Sequence, residues 1–190
     1  MKCIQIDRYG GLAAMTHRDL PVPVPKAGEV LVRVRCAGIN FMDIHTCEGK
    51  YAHSQTYKVS LPCTLGMEGA GEVVALGADI KDLAVGDRVA WCIVWGSYAE
   101  YAAVPAWRCV KLPDALSFEM AAASLFHGLT AHYLAHDVGA LAPGRSCLIH
   151  AASGGIGQIL VQLAKRAGAR VFATTSSAEK AAVARARGAD

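Results

Sequence analysis

The chain has 190 residues, a formal net charge of +3 and 53% hydrophobic residues. This length allows one or two domains, and the hydrophobic content is typical of an ordinary globular core. The basic residues are scattered along the sequence, so nothing indicates binding to nucleic acid or to a membrane surface.

The cysteines and the apolar runs indicate the compartment. Seven cysteines are present without any CxxC pair, which favours reduced thiols over a disulfide framework or a zinc knuckle. The first residues are too interrupted by charge for a secretion signal, and no apolar run approaches the length of a membrane span. We therefore expect a cytoplasmic protein.

Short strand patterns dominate the first part of the chain. Apolar and polar residues alternate over residues 30–36, and further strands are expected over residues 72–76, after the turn at residues 85–88, and over residues 98–104. Many short strands separated by glycine and proline predict a compact, partly open β-barrel.

From Ser117 the sequence becomes rich in alanine and predicts helices over residues 120–123 and 130–136. Pro143 and Gly144 then turn the chain into a new strand. This change of character predicts a domain boundary near Leu125, with one domain over residues 1–125 and the next over residues 126–190.

A glycine-rich turn, HAASGGIG, occupies residues 150–157 between the short apolar strand 147–149 and an amphipathic helix that Gly168 closes. Strand, glycine turn and helix together form a phosphate cradle, because free N–H groups and a partial positive charge lie at the helix start. The sequence predicts that a dinucleotide binds here, and the residues expected to contact its phosphates are Ser153, Gly154, Gly155, Ile156 and Gly157.

The next strand, expected over residues 170–175, indicates which dinucleotide binds. An enzyme that uses NAD usually carries an acid at the end of this strand, whereas here the sequence is TTSS, followed by Glu179 and Lys180. Hydroxyls and an ammonium suit a 2′-phosphate, so we predict NADPH, bound by Ser176, Ser177 and Lys180. The alternative is a helix start with a capping box from Ser176 to Glu179 and a solvated Lys180, and both can hold at once.

Only two strand–helix units of the nucleotide domain precede Asp190. A doubly wound dinucleotide fold normally has about six strands. We expect the sequence to be the front portion of a longer enzyme. A short product that needs a partner surface is the alternative.

Several motifs of the chain point to one superfamily. They are residues 37–43 (AGINFMD), Gly49 with Tyr51, Gly66 with Glu68 and Gly71, residues 86–89 (GDRV), residues 98–101 (YAEY), residues 121–130, and the glycine turn. With these motifs the chain resembles the medium-chain dehydrogenase/reductase superfamily, and within it the zinc-free quinone oxidoreductases related to zeta-crystallin. The resemblance runs through all 190 residues. It implies an α/β protein in which a GroES-like β-barrel, the catalytic and substrate domain, precedes an incomplete Rossmann domain with a doubly wound parallel sheet.

The metal ligands of zinc-dependent relatives are missing. Those relatives hold the catalytic zinc with cysteine, histidine and cysteine at positions that match Asn40, Met67 and the neighbourhood of Phe126. Three thiolate, imidazole or carboxylate ligands are needed, and amide, thioether and phenyl groups cannot supply them. Only Cys92 and Cys109 lie where those relatives place four structural cysteines. We therefore predict that no metal is bound.

His132 and His136 have the i, i+4 spacing of a helical metal pair. No third ligand lies nearby in the sequence. We interpret the two histidines as a solvated helix face.

The resemblance implies roles for individual residues. Asn40 would lie at the hydride-transfer face and contact the cofactor, Thr130 near the nicotinamide, and Tyr51 at the border of the substrate pocket. His45 would pass a proton to the reduced product. Alternatively, His45 is a polar residue at the pocket rim without a chemical role, and Tyr51 serves only packing. Asp43 and Glu68 are expected to support the site.

The resulting hypothesis is an NADPH-dependent reductase that transfers hydride to quinones or related conjugated carbonyls without zinc. The alternatives are a reductase of enones or enoyl thioesters from the same superfamily, and a non-catalytic nucleotide-binding or scaffold protein. The expected partner is a small-molecule quinone or enone, and the resemblance implies a homodimer when the chain is full length.

Overall fold

Ten β-strands and four α-helices form the chain, and the computed structural model describes all residues from 1 to 190. The chain divides into two compact units, Met1–Leu125 and Phe126–Asp190. The functional assignment of the two domains stays a prediction. None of the helices combines the length and the apolar character needed to cross a bilayer.

The main element of the first unit is a five-stranded antiparallel sheet. Its strands, in spatial order, are β7 (Tyr101–Pro105), β3 (Glu29–Ala37), β5 (Glu68–Leu76), β6 (Arg88–Cys92) and β8 (Val110–Lys111). Alternating apolar residues of these strands face one core, which includes Val30, Val32, Val73, Val89, Trp91 and Val104. This confirms the strands predicted from alternation.

The strand predicted over residues 98–104 begins later, at Tyr101. The physical reason is that the Tyr98 backbone bonds elsewhere: its N–H donates to the Leu65 carbonyl at 2.9 Å, and its carbonyl accepts from Ile4 N–H at 2.8 Å. Tyr98 therefore bonds to Ile4 and Leu65 and not to the strands of the five-stranded sheet.

A second, three-stranded sheet was not predicted. It has the order β2 (Thr16–Asp19), β1 (Lys2–Ile6) and β4 (Cys63–Thr64). Every residue of β2 is exposed, so this edge strand lacks the apolar alternation from which a strand can be predicted. Helix α1 (Phe41–Cys47) follows β3 and carries part of the site described below.

The predicted pair of helices after Ser117 is wrong in one respect. A single helix, α2 (Phe118–Tyr133), spans the region without a break, and a π-helical turn over Leu134–Val138 follows it. Gly128 lies inside α2. One glycine costs a helix only about 1 kcal/mol, which the surrounding alanines and leucines offset.

In the second unit, β9 (Ser146–Ile149) and β10 (Arg170–Ala173) pair in parallel. Helix α3 (Gly155–Arg166) connects them, and α4 (Ala178–Ala186) follows β10. Gly168, with φ of +78°, ends α3 as predicted. The core contains Ile149, Ala152, Val161, Ala164, Val171 and Ala184. The strand–turn–helix–strand reading of the sequence is confirmed.

Candidate functional site

Asn40 is the centre of a buried polar cluster in the first unit. It lies directly before α1 and is only 5% exposed. Its backbone N–H donates to Asp43 Oδ2 at 2.8 Å, and its side-chain Nδ2 donates to Glu68 Oε2 at 2.9 Å. Its Oδ1 faces the Asp43 backbone N–H in the capping box of α1, but that N–H donates to the Asn40 carbonyl at 3.0 Å, which leaves the buried Oδ1 without a hydrogen bond of its own. Two carboxylates thus hold Asn40, one by its main chain and one by its amide.

Asp43 connects this cluster to Tyr98. The Tyr98 hydroxyl donates to Asp43 Oδ2 at 2.8 Å, and Asp43 is 2% exposed. Burial raises the pKa of Asp43, while hydrogen bonds from Asn40, Tyr98 and Met67 act in the opposite direction. Burial and the neighbouring Asp43 raise the pKa of Tyr98, which keeps its hydroxyl a donor. Sequence reasoning gave Tyr98 no role, although it lies in the YAEY motif.

Gly38 lets Glu68 approach Asn40. A Cβ atom added at Gly38 would lie 2.6 Å from Glu68 Oε2 and 2.4 Å from the Ala122 carbonyl oxygen. No larger residue fits without displacing the carboxylate. Glu68 itself is 1% exposed, so the position of this carboxylate is fixed by packing.

A cavity of about 100 Å³ with both apolar and polar lining lies in the same unit. Met42, two residues after Asn40, and Met67, next to Glu68, are on its wall. The complete lining is Met42, Thr56, Tyr57, Lys58, Met67, Ile93 and Trp95. A cavity of this size suits part of a flat apolar ring, since a 150 Å³ apolar cavity holds benzene. Sequence reasoning missed Tyr57 and Trp95, because only folding brings residues 56–58 to residues 93–95.

His45 and Tyr51 lie near each other at the end of α1. Their ring centroids are 6.2 Å apart, and the Tyr51 ring packs edge-on against Tyr57 at 5.4 Å. Tyr57, and not Tyr51, lines the cavity. His45 Nδ1 lies 3.0 Å from Lys50 Nζ and 3.4 Å from Glu48 Oε2. The partly exposed imidazole therefore has polar neighbours with which it can exchange a proton.

The glycine turn of the second unit leads directly into α3. Gly154 is the N-cap, with extended backbone and no side-chain cap, and the first helical hydrogen bond joins Gln158 N–H to the Gly154 carbonyl at 2.9 Å. The N–H groups of residues 155–157 precede this bond, and no acidic side chain lies in the first turn. These donors and the helix dipole fit the pyrophosphate of a dinucleotide.

Two glycines of this turn are required by close packing. A Cβ atom at Gly157 would lie 2.4 Å from the Ala151 carbonyl oxygen and 2.7 Å from Ala152 Cα. A Cβ atom at Gly155 would lie 2.5 Å from the His127 ring. The fingerprint position Gly157 therefore serves helix–strand packing. The His127 contact, which joins residues 28 positions apart in the chain, was not predictable from the motif.

The hydroxyl-rich segment after β10 carries the second half of the predicted cofactor site. Ser177 is the N-cap of α4, and its Oγ accepts from Lys180 N–H at 3.2 Å. The predicted capping box from Ser176 to Glu179 is therefore wrong by one residue. Ser176 Oγ is free of capping and accepts from Lys180 Nζ at 3.0 Å. Hydroxyl and ammonium donors lie together on this surface, which fits a 2′-phosphate.

Thr130 and Ser153 complete the predicted cofactor residues of the second unit. The Thr130 hydroxyl donates to the Phe126 carbonyl within α2 at 2.9 Å. The Ser153 carbonyl accepts from Gln158 Nε2 at 2.9 Å, which braces the turn. His150 Nδ1 and Thr174 Oγ1, which sequence reasoning did not select, are 2.9 Å apart at the ends of β9 and β10.

The donor set for a metal is sparse. No group of three or more histidine, cysteine, aspartate or glutamate side chains lies close enough to hold an ion. His132 and His136 are both exposed, and their ring centroids lie 4.3 Å apart. Burial raises the pKa of Cys92 and brings that of Cys109 to about 12, so both are held as neutral thiols.

Comparison with known proteins adds the family context. Residues 26–114 match the alcohol dehydrogenase GroES-like domain. A quinone oxidoreductase of Pseudomonas aeruginosa is 41% identical over 189 residues, which are 99% of this chain and 57% of that protein. The chain spans between 44% and 57% of the length of several curated relatives, about half.

Solved structures agree with this match. The Escherichia coli quinone oxidoreductase complexed with NADPH superimposes with a TM-score of 0.93 at 35% identity, covering 100% of this chain and 57% of that one. The CurK enoyl reductase superimposes with a TM-score of 0.89 at 30% identity, covering 100% and 58%. These matches confirm the predicted fold, a GroES-like domain followed by part of a Rossmann domain.

Proposed function

We propose that this chain, which resembles quinone oxidoreductases of the medium-chain dehydrogenase/reductase superfamily along its whole length, is part of an NADPH-dependent reductase. Its substrates are quinones or related conjugated carbonyls, which it reduces without zinc. The observation that carries this proposal is the uncapped glycine turn of residues 153–157, together with a strand end at residues 174–177 that has hydroxyls in place of an acid and the Lys180 ammonium beside Ser176.

NADPH is held by two groups of residues in the second unit. The N–H groups of Gly155, Ile156 and Gly157 bind the pyrophosphate, because no side chain caps the helix that they begin. Ser176, Ser177 and Lys180 bind the 2′-phosphate through hydroxyl and ammonium groups. Thr130 lies near the nicotinamide by analogy with the family. NADPH supplies the hydride when it is bound.

The reaction proceeds without a Lewis acid. Asn40, Met67 and Phe126 stand where zinc relatives carry ligands, and Asn40 Nδ2 is already engaged by Glu68 at 2.9 Å. The lone pair of an amide nitrogen is delocalised into the carbonyl, and the remaining carbonyl oxygen is not among the thiolate, imidazole and carboxylate groups that hold zinc. A quinone needs no metal to polarise its carbonyl, since its conjugated ring delocalises the charge that hydride transfer creates.

The residues of the chain position the acceptor and manage its proton. The cavity walled by Met42 and Met67 excludes water from one edge of the acceptor ring. Asn40 lies at the hydride-transfer face, and Tyr51 supports the pocket by packing on the cavity-lining Tyr57. His45, with Lys50 and Glu48 beside its Nδ1, delivers a proton to the reduced product.

The proposal is tested by following NADPH oxidation with a naphthoquinone, with a crotonyl thioester and without acceptor. We expect turnover with the naphthoquinone. Turnover only with the thioester would replace the quinone assignment by an enoyl reductase, a function that the similarity to the CurK enoyl reductase supports. NADPH binding without any turnover would favour a scaffold role.

A further inference from the structure

We infer that Glu68 is a positioning residue, and that it fixes the orientation of the Asn40 amide so that Asn40 offers only a carbonyl oxygen to a bound ligand. The group that Asn40 recognises is therefore an N–H or O–H donor. This inference rests on the proposed function, because that function places Asn40 beside cofactor and substrate.

The first step concerns the two ends of the amide. Glu68 Oε2 accepts the hydrogen bond of the amide nitrogen, and an amide has one donating and one accepting end. Glu68 Oε2 lies 2.9 Å from Asn40 Nδ2. Turning the amide over would place Oδ1 against the carboxylate, where two oxygens repel each other in a buried site. Glu68 therefore dictates which end of Asn40 remains available.

The second step concerns the freedom of Asn40 to move. Its backbone N–H is bound to Asp43 Oδ2 at 2.8 Å, and that same oxygen accepts from the Tyr98 hydroxyl at 2.8 Å. Gly38 admits the Glu68 carboxylate at a place where a Cβ atom would lie 2.6 Å from Oε2. Main chain and side chain are held independently, so Asn40 cannot relieve a mismatch by shifting.

The third step concerns Asn40 Oδ1, the acceptor that remains without a hydrogen bond. Asn40 is 5% exposed, and its Oδ1 is buried without a partner in the protein. An unpaired buried acceptor is unfavourable, and native proteins keep few of them. A ligand that brings a donor to this oxygen relieves that cost. Two sources have this chemistry, the carboxamide N–H of the nicotinamide and the hydroxyl of a reduced quinone.

The test is an exchange of acid and amide. We would compare Asn40→Asp, Glu68→Gln and the double variant, with Glu72→Gln as a control, because Glu72 is a partly exposed partner of Arg33 and Arg35 outside the Asn40 cluster. Asn40→Asp is expected to lower kcat/KM by at least about tenfold at neutral pH, because two carboxylates then face each other. The control is expected to leave kcat/KM unchanged.

The double variant distinguishes positioning from simple packing. In it, the new glutamine donates to one oxygen of the new aspartate, and the other oxygen remains an acceptor for the ligand. We expect kcat/KM to return to within about threefold of the wild type. The loss in Asn40→Asp alone should also shrink as the pH falls, because one carboxyl becomes protonated and bonds to the other. A double variant as impaired as the worse single variant, at every pH, overturns the inference.

Two further measurements distinguish the two possible donors, and distinguish failure of this inference from failure of the proposed function. A weakened NADPH dissociation constant in Asn40→Asp assigns the donor to the nicotinamide, whereas a raised inhibition constant of the hydroquinone product assigns it to the hydroxyl of the reduced quinone; no effect on either overturns the inference. Hydrogen exchange of the Asn40 side-chain amide, followed by NMR, needs no activity. Slow exchange in the wild type that becomes fast in Glu68→Leu supports the fixed orientation of the Asn40 amide, even if no quinone is reduced. Exchange as fast as that of an exposed amide contradicts it.

Discussion

Gly154 and Gly157 belong to the same turn but meet different surroundings. A Cβ atom at Gly154 would contact only the Ala151 carbonyl oxygen, at 3.1 Å, whereas one at Gly157 would lie 2.4 Å from that oxygen. Gly154 has φ of −77° and ψ of 175°, a backbone that valine adopts without strain. A side chain at Gly154 therefore needs only a small shift of the Ala151 carbonyl, whereas one at Gly157 needs a large shift.

We predict opposite outcomes for valine at the two positions. Gly154→Val should leave the free energy of unfolding within about 1 kcal/mol of the wild type but weaken NADPH binding at least tenfold, because its methyl groups block the N–H groups. Gly157→Val should lower the free energy of unfolding by about 1–3 kcal/mol through overpacking. Urea unfolding and NADPH titration measure the two effects. Unchanged NADPH affinity in Gly154→Val would remove the turn from the cofactor site.

Lys180 tests the choice of cofactor. Lys180→Glu should weaken NADPH binding by about tenfold to a hundredfold, because a charge-assisted hydrogen bond is lost and an anion faces the 2′-phosphate. NADH binding should stay constant. Lys81→Glu, an equal charge change at an exposed residue of the first unit, is the control for the binding titrations. If the preference for NADPH survives in Lys180→Glu, Lys180 does not bind the 2′-phosphate.

Cys63 makes stability depend on alkaline pH. Burial raises the pKa of its thiol from 9.0 to about 11, so the folded state resists ionisation while the unfolded state ionises. Stability from this thiol is complete below about pH 9 and is lost as the pH rises towards 11, and the loss between about pH 8 and pH 10 is on the order of 1 kcal/mol. Urea unfolding at both pH values should show a smaller fall in Cys63→Ala than in the wild type. Equal falls would contradict the burial of this thiol.

At the residue scale, the sequence was informative where the chemistry is local. The glycine turn could be recognised because all its residues are adjacent and flanked by a strand and a helix. The contacts of Asn40 could not, since Glu68 lies 28 residues away and the Tyr98–Asp43 bond spans 55 residues. The role of Gly38 is likewise visible only when Glu68 and Ala122 meet around it.

At the scale of elements, the start of α4 separates a structural from a binding role. Ser177 caps the helix, whereas Ser176 contacts only the exposed Lys180 ammonium. Ser177→Ala should lower the free energy of unfolding by about 1 kcal/mol, and Ser176→Ala by less. Both should weaken NADPH binding if both hydroxyls contact the 2′-phosphate. Urea unfolding ranks the stabilities, and a larger loss in Ser176→Ala than in Ser177→Ala would contradict the observed cap.

Elements were predictable where periodicity is sustained. Strands β3, β5, β9 and β10 and helix α3 carry clear apolar patterns, and each is confirmed. Strand β2 has no buried residue, and β4 and β8 have two residues each, too few for any period to show. The strand predicted over residues 170–175 is longer than β10, which ends at Ala173. The backbone nevertheless stays paired one residue further, because Thr174 N–H donates to the Ile149 carbonyl at 3.0 Å.

At the scale of the whole molecule, each unit carries its own set of proposed site residues. The first holds Asn40, Glu68 and a small cavity, and the second holds the glycine turn and a donor-rich surface. The chain covers 57% of the length of the quinone oxidoreductase from Pseudomonas aeruginosa. Dimerisation and the identity of the acceptor therefore stay predictions.

Reduction of a naphthoquinone by NADPH after exhaustive treatment with a chelator tests the central claim most directly. With substoichiometric zinc verified by elemental analysis, we predict an unchanged rate with NADPH, because neither Asn40 nor Met67 can serve as a zinc ligand at the positions where relatives bind it. A rate that disappears with the metal and returns on addition of Zn²⁺ would contradict the account.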